Sequence, residues 1–366
     1  MDPFSLLIAK RLKSAREKAS ATQEGLAAAL GLKDRQSVSA IEVGERSVTP
    51  EELVKAAEFL RQPLEYFTDP YLVTEHKAFS FRALKMDGPA LNEFRQSAER
   101  LISAQRRFRM HLKETPSPVH SQLPGLSKGT SVWEAAAQGE QLAAAWQLGP
   151  IPAQGLREAA EEKLNISILY IDAPATVSGA ACRLDDGDVI LINRQESEGR
   201  RNFDLSHELF HLLTWMEMPP EDFELATDNP TGKRSRMEML ADSFASGLLM
   251  PSTEIKARWT SPSKLGAWLS HHASELLVSP IALYWRLVNL DLIDKDENPF
   301  PSSTKAKSAT PSPSLLLYNR AFVQRLHTVL DRGYLTALRA AEVLDCSLPD
   351  LVQLFRSYKM ESPFPH

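Results

Sequence analysis

The sequence predicts a multidomain, mainly α protein: an all-α N-terminal domain, a central α+β domain with a small antiparallel sheet, and a C-terminal helical region. Three observations carry that prediction. Apolar residues recur at three- and four-residue spacing through most of the 366 positions, and Thr or Ser starts and Gly or Pro stops bound the runs. Only two short β-branched runs interrupt them, at 165–170 and 189–192. Pro- and Ser-rich stretches at 115–131 and 296–314 divide a chain long enough for two or three domains.

Residues 5–67 read as a run of short helices. Over 6–19 the apolar Leu7, Ile8, Leu12 and Ala15 face one way and Lys10, Arg11, Lys13 and Arg16 the other. Thr22 caps a helix over 23–30, which Gly31 stops. A third helix over 35–42 ends before Gly44. Thr49, Pro50 and the acidic Glu51-Glu52 open a fourth, matching hydroxyl, fixed φ and negative charge to a helix start. Two short helices about a glycine turn make a helix-turn-helix candidate. Gln23, Leu26, Ala27, Leu30-Gly31, Val38-Ser39, Ile41-Glu42 and Gly44-Glu45-Arg46 together resemble the XRE/Cro-type helix-turn-helix domains, although the turn is one residue longer than usual. The resemblance implies DNA as the partner of residues 1–70. Arg35, Gln36, Ser37 and Ser39 would lie on the recognition helix, and Gln23 would reach a phosphate. Residues 1–67 hold ten Lys/Arg and ten Asp/Glu, so attraction to phosphate must come from a local surface.

Residues 71–130 read as a basic connecting helix and linker. Over 77–113 there are nine Lys/Arg against three Asp/Glu. Phe94, Leu101 and Phe108 repeat every seven residues, with Ala98, Gln105 and Leu112 as a second series. That seam predicts a helix packed on its twin in a homodimer or under the catalytic domain. Its basic face (Arg95, Arg106, Arg107, Arg109) would be free to supplement a DNA contact.

The third region, 131–295, starts with an Ala-rich helix over 131–148, broken at Gly149-Pro150, and a helix over 152–164. The two predicted strands follow, bracketing an Asp185-Asp186-Gly187-Asp188 turn. Then comes His207-Glu208-Leu209-Phe210-His211 inside an apolar run. On a helix, His207 and His211 stand one turn apart on one face and can share a zinc ion. Glu208 can flank that metal without binding it and act as general base. Leu205, Leu209, Leu212 and Leu213 surround the pair, and burying two His and a Glu without a cation would be costly. A third ligand is required, and Glu238, near the start of a helix over 236–250, is the candidate. Asp242, one turn on, could orient an imidazole from outside.

His207–His211, followed by Glu238, Ala241-Asp242, Phe244-Ala245 and Leu248-Leu249-Met250-Pro251, resembles the ImmA/IrrE family of zinc metallo-endopeptidases. Ser178-Gly179, the 189–193 run and Arg200 or Arg201 before Phe203 also fit that family. The resemblance implies a zincin-like domain, with zinc on His207, His211 and Glu238, Glu208 as the base, and a repressor-type protein as substrate. Ser206, Phe210 and Asp242 depart from the family's frequent Ala, Gly and Asn.

Beyond this domain, helices are expected over 264–277 and 281–292. His271 and His272 read as surface residues with no plausible third ligand nearby. After the 296–314 linker, residues 315–366 form a helical tail with a break at Gly333. Net charge is −5, which excludes a generally basic nucleic-acid binder. Cys182 and Cys346 read as free thiols in a reducing compartment. With no apolar stretch of membrane-spanning length and no leader-like N-terminus, the expectation is a cytoplasmic protein without a membrane partner. The functional expectation is a DNA-binding regulator carrying a zinc endopeptidase. Two alternatives remain: a regulator whose zinc site is a sensor or catalytically silent, and a phage or toxin–antitoxin regulator with triggered proteolysis.

Overall fold

The computed structural model describes residues 3–69, 71, 79–83, 89–114, 123, 125–174, 177–183, 187–219, 235–297, 299–300 and 315–365. Its first five helices are α1 (Pro3–Lys18), α2 (Gln23–Leu30), α3 (Arg35–Glu42), α4 (Pro50–Leu60) and α5 (Leu64–Thr68). They close around Leu12, Leu26, Val38, Ile41, Ala56 and Phe67 as a core of their own. The starts follow the predicted chemistry. Thr22 accepts the Gly25 N–H at 3.0 Å, and Thr49 and Glu52 form a reciprocal capping box. α2 ends at Gly31 with φ +76°, a left-handed conformation that costs glycine nothing.

The other described elements are built on both faces of one sheet. Its strands are β1 (Phe79–Ala83), β2 (Ser167–Ile171), β3 (Val177–Cys182) and β4 (Val189–Asn193), in the order β1-β3-β4-β2. Strand β4 explains its own continuous apolar run. Ile190 and Ile192 enter one core and Val189 and Leu191 the other, so alternate side chains serve opposite faces and none meets water. The first core also takes residues from α7 (Val132–Ala145), α8 (Leu156–Leu164), α9 (Glu198–Leu213), α10 (Arg236–Leu249), α11 (Ser252–Arg258), α12 (Leu265–Leu276) and α13 (Pro280–Asn289). The second is formed by α6 (Pro89–His111) with α14 (Arg320–Asp331), α15 (Ala337–Leu344) and α16 (Leu348–Ser357).

Three expectations change here. The sheet is mixed, because β2 and β4 pair in parallel while β3 pairs antiparallel with both β1 and β4. Strand β3, Val-Ser-Gly-Ala-Ala-Cys, went unread because small residues carry no β-branched signal. The acidic turn therefore follows β3, and Asp185 and Asp186 fall outside the described residues. The seven-residue seam of α6 is buried against the sheet of the central domain, the second of its two expected packings, and the C-terminal helices complete its contacts; what changes is its basic face. Phe108 stacks 5.5 Å from Phe322, and Gln105 donates to Ser167 at 2.6 Å. Arg109 lies under that packing, where it donates to Asn165, while Arg106 and Arg107 are half-buried, so the expected free basic face is not presented. The Arg95 side chain and most of the two linkers lie outside the described residues. Both cysteines are free thiols, and no described helix is long and apolar enough to cross a membrane.

Candidate metal centre

Helix α9 carries the site because its last ten residues, from Asp204 to Leu213, are all buried. Leu205, Leu209 and Leu212 anchor it in the first core, and its flank packs on β3 and β4. Its entry is held by hydrogen bonds rather than by an N-cap. Arg200 donates to Asp204 at 3.1 Å and to the Ser178 hydroxyl at 3.2 Å, and Arg201 donates to the Arg194 carbonyl at 3.2 Å. Asn193, at the end of β4, donates to the Val177 carbonyl at 2.9 Å and ties the strand ends above the helix.

Helix α10 delivers the second half of the site from across the core. Its crossing with α7 is too close for any side chain at the contact. A Cβ on Gly139 would lie 2.3 Å from the Phe244 carbonyl oxygen, and one on Gly247 would lie 2.0 Å from that of Ala136. Ser235 caps α10 by accepting the Glu238 N–H at 3.2 Å, so Glu238 sits in the first turn, where the helix dipole favours a carboxylate.

These two helices bring the predicted residues together. The Nε2 atoms of His207 and His211 are 3.1 Å apart. Glu238 oxygens lie 3.2 Å from His207 Nε2 and 3.3 Å from His211 Nε2. Both imidazoles are buried, while the Glu238 side chain is one-third exposed and opens the group to solvent. Asp242 Oδ1 stands 2.9 Å from His207 Nδ1; with a metal on Nε2, Nδ1 would carry the proton and donate it to Asp242. Burial pushes the Glu238 carboxyl up, but hydrogen bonds from His207 and His211 outweigh it and hold the group well below the usual carboxylate range. Glu208 is buried beside them. Gly179 of β3 makes room for it, because a Cβ there would meet Glu208 Cγ at 3.2 Å and Oε1 at 3.4 Å.

The donor set suits a zinc ion. Ligand bonds of about 2.0–2.1 Å at tetrahedral angles put ligand atoms roughly 3.3 Å apart, close to the three separations seen here. Two imidazole nitrogens and a carboxylate facing one another need a shared cation, either a proton or a metal.

Residues 12–67 match the helix-turn-helix family, and residues 161–287 match the IrrE N-terminal-like domain, a peptidase family. This chain joins a helix-turn-helix domain to an IrrE-like, metallopeptidase-type domain. No curated protein matches it. The IrrE-like segment spans β2, β3, β4, α9 and α10, and so every residue of the cluster. It leaves β1, α6, α7 and the C-terminal helices outside.

In the helix-turn-helix domain, the Arg35 side chain is two-thirds exposed and 3.7 Å from Glu24. Gln36 is exposed, and Ser39 is half-buried. Ser37 is half-buried and donates its hydroxyl to Asp34 at 3.1 Å. Gln23 donates its amide to Glu42 at 2.9 Å. Arg16 grips the same buried carboxylate at 2.6 and 3.0 Å, and that bond, against the pull of burial, raises the guanidinium further. This Arg16–Glu42–Gln23 hub links three helices and was not anticipated. A glutamate near the end of an otherwise apolar inner face was its signal.

The expectation that His271 and His272 lack a third ligand nearby is corrected. His271 and His272 gain a neighbour in Glu275, at 3.5 and 3.0 Å, and Arg258 approaches the same carboxylate at 3.2 Å. Spacing within one helix would have placed Glu275 there.

Proposed function

We propose that this protein is a DNA-binding regulator whose IrrE-like domain is a zinc-dependent endopeptidase acting on a repressor-type protein or on its own chain. The observation that carries the reading is the convergence of His207, His211 and Glu238 beside a buried Glu208, drawn from two helices of one core.

Zinc held by His207, His211 and Glu238 would supply Lewis acidity to a water molecule and to the scissile carbonyl. The chain's own groups do the rest. Asp242 fixes the His207 ring and its tautomer. Glu208 takes a proton from the attacking water and passes it to the leaving amine. Gly179 keeps the Glu208 side chain at its station. A purely structural zinc site has no use for that glutamate, which favours chemistry over a silent or sensory site.

On the DNA side, exposed Arg35 and Gln36 are the groups free to reach base edges from α3. The Gln23 side chain is committed to Glu42, so a phosphate contact from this position falls to the backbone N–H at the start of α2.

Metal content of the full chain beside that of His207→Ala is the direct test. About one zinc per chain, lost in the variant, is expected. No zinc in either protein after reconstitution would remove the enzyme and leave the helix-turn-helix domain.

A further inference from the structure

Strand β1 belongs to neither recognised domain. It lies after residue 67, where the helix-turn-helix match ends, and before residue 161, where the IrrE-like match begins. Yet it completes the sheet of the IrrE-like domain. Its backbone runs antiparallel along β3, with Phe79 opposite Cys182, Phe81 opposite Ala180 and Arg82 opposite Gly179. Gly179 is the residue that borders Glu208. Segment 79–83 therefore passes one strand spacing, about 4.8 Å, from the residue beside the proposed base.

The opposite edge of the sheet is already covered. Tyr318 donates its N–H to the Tyr170 carbonyl at 2.6 Å, and Asn319 donates its side chain to the Ile168 carbonyl at 2.8 Å. Among the described strands β3 is the one whose Gly179 borders Glu208, and its outer side, where an extended peptide could pair beside the proposed base, is taken by β1.

We infer that the β3 edge is the peptide-binding edge of the peptidase and that 79–83 is its resident occupant, which a substrate must displace. The inference rests on the peptidase reading of the site. Its ligand is an extended, unfolded protein segment that pairs antiparallel through main-chain hydrogen bonds. The sequence Phe-Ser-Phe-Arg-Ala alternates apolar and polar residues without proline, so every residue keeps the N–H a pairing strand needs. A tethered strand competes at an effective concentration on the order of millimolar, so an outside peptide binds the intact chain weakly. Because the occupant lies between the helix-turn-helix and the catalytic helices in sequence, one segment joins the two functions.

The test uses the full chain carrying Glu208→Gln, so that binding is read without turnover. The probe is a fluorescein-labelled nonapeptide with the sequence of residues 77–85, followed by anisotropy. Adding Ser80→Pro and Phe81→Pro removes whichever of these two successive N–H groups points at β3, and the rigid rings disrupt the resident strand. The vacated edge should bind the probe roughly tenfold more tightly. A probe carrying the same prolines should not gain. Equal affinity in both proteins, or an equal gain for the proline-bearing probe, overturns the inference.

A second variant guards against misfolding. Phe79→Cys stands opposite Cys182 in the register, and diamide oxidation would pin the strand in place. The oxidised chain should lose probe binding and regain it with dithiothreitol; unchanged binding in the oxidised form also overturns the inference. Loss of zinc or of hydrolysis would sink the peptidase reading without touching these binding results, so the two failures are distinguishable.

Discussion

Among the described residues, two groups of two histidines and a glutamate come within ligand distance of one another, and they differ in burial. His207, His211 and Glu238 come from two helices that meet across a core; both imidazoles are buried, and a carboxylate orients one of them. His271, His272 and Glu275 come from a single helix; His271 is two-thirds exposed, and Arg258 already neutralises the glutamate. The residue types are the same, so composition does not separate the groups. Desolvation does. Buried ligands have no water to satisfy them and hold a cation firmly, whereas solvated ligands lose little when none is present.

That contrast can be broken by experiment. His207→Ala should abolish stoichiometric zinc and remove any rise in melting temperature that zinc produces, as read by metal analysis and by thermal scans with and without chelator. Next in size, Glu208→Gln should retain zinc while hydrolysis of a cleaved substrate falls by about 10²–10⁴-fold. A variant that cleaves normally would remove Glu208 from the chemistry. Asp242→Ala should weaken zinc affinity by about 10–100-fold in a chelator competition, because the His207 ring loses its orienting acceptor. Gly247→Ala should cost about 1–3 kcal/mol in denaturant unfolding, since the added methyl collides with the α7 backbone and displaces the helix that carries Glu238.

The smallest effect belongs to the exposed group. His271→Ala with His272→Ala should leave zinc stoichiometry unchanged; a lost zinc would show that exposure does not disqualify such a cluster. The Glu275 carboxyl is held below its usual range, first by the hydrogen bond from His272 and then by the charges of His271, His272 and Arg258. A depressed carboxyl stabilises the fold above the ordinary carboxylate range and loses that contribution as pH falls through its lowered value. Glu275→Gln should therefore lower stability slightly at neutral pH, with the difference vanishing as pH falls through the acid limb, and the effect is small at an exposed site.

Legibility followed locality. The first four helices of the N-terminal domain were readable because their local signals lie within one segment, as the cap, stripe and stop do at Thr22, Leu26, Leu30 and Gly31, whereas α5 has no side-chain cap and went unnamed. Helix α9 and its His207, Glu208 and His211 were readable for the same reason, since i and i+4 share a helix face. Glu238 could be named as a candidate from its place near a helix start, but only the resemblance favoured it over a solvated carboxylate, because no spacing rule connects residues 27 positions or more apart on different helices. Strand β3 was invisible because its small residues are chosen for what they admit, the Glu208 side chain at Gly179, and not for strand propensity. The basic helix misled because charge count was taken for exposure, while Arg109 is buried against Asn165.

By itself, the sequence determined most of the helices: where they begin and end, which faces are apolar, and which residues are candidate metal ligands. The tertiary structure alone decided which of two similar clusters is dry, what covers each edge of the sheet, and that the connecting helix and C-terminal helices wall a second core. The physical reason is that propensity, capping and periodicity act over one turn or one strand. Desolvation and strand pairing depend on groups that the chain brings together from far apart.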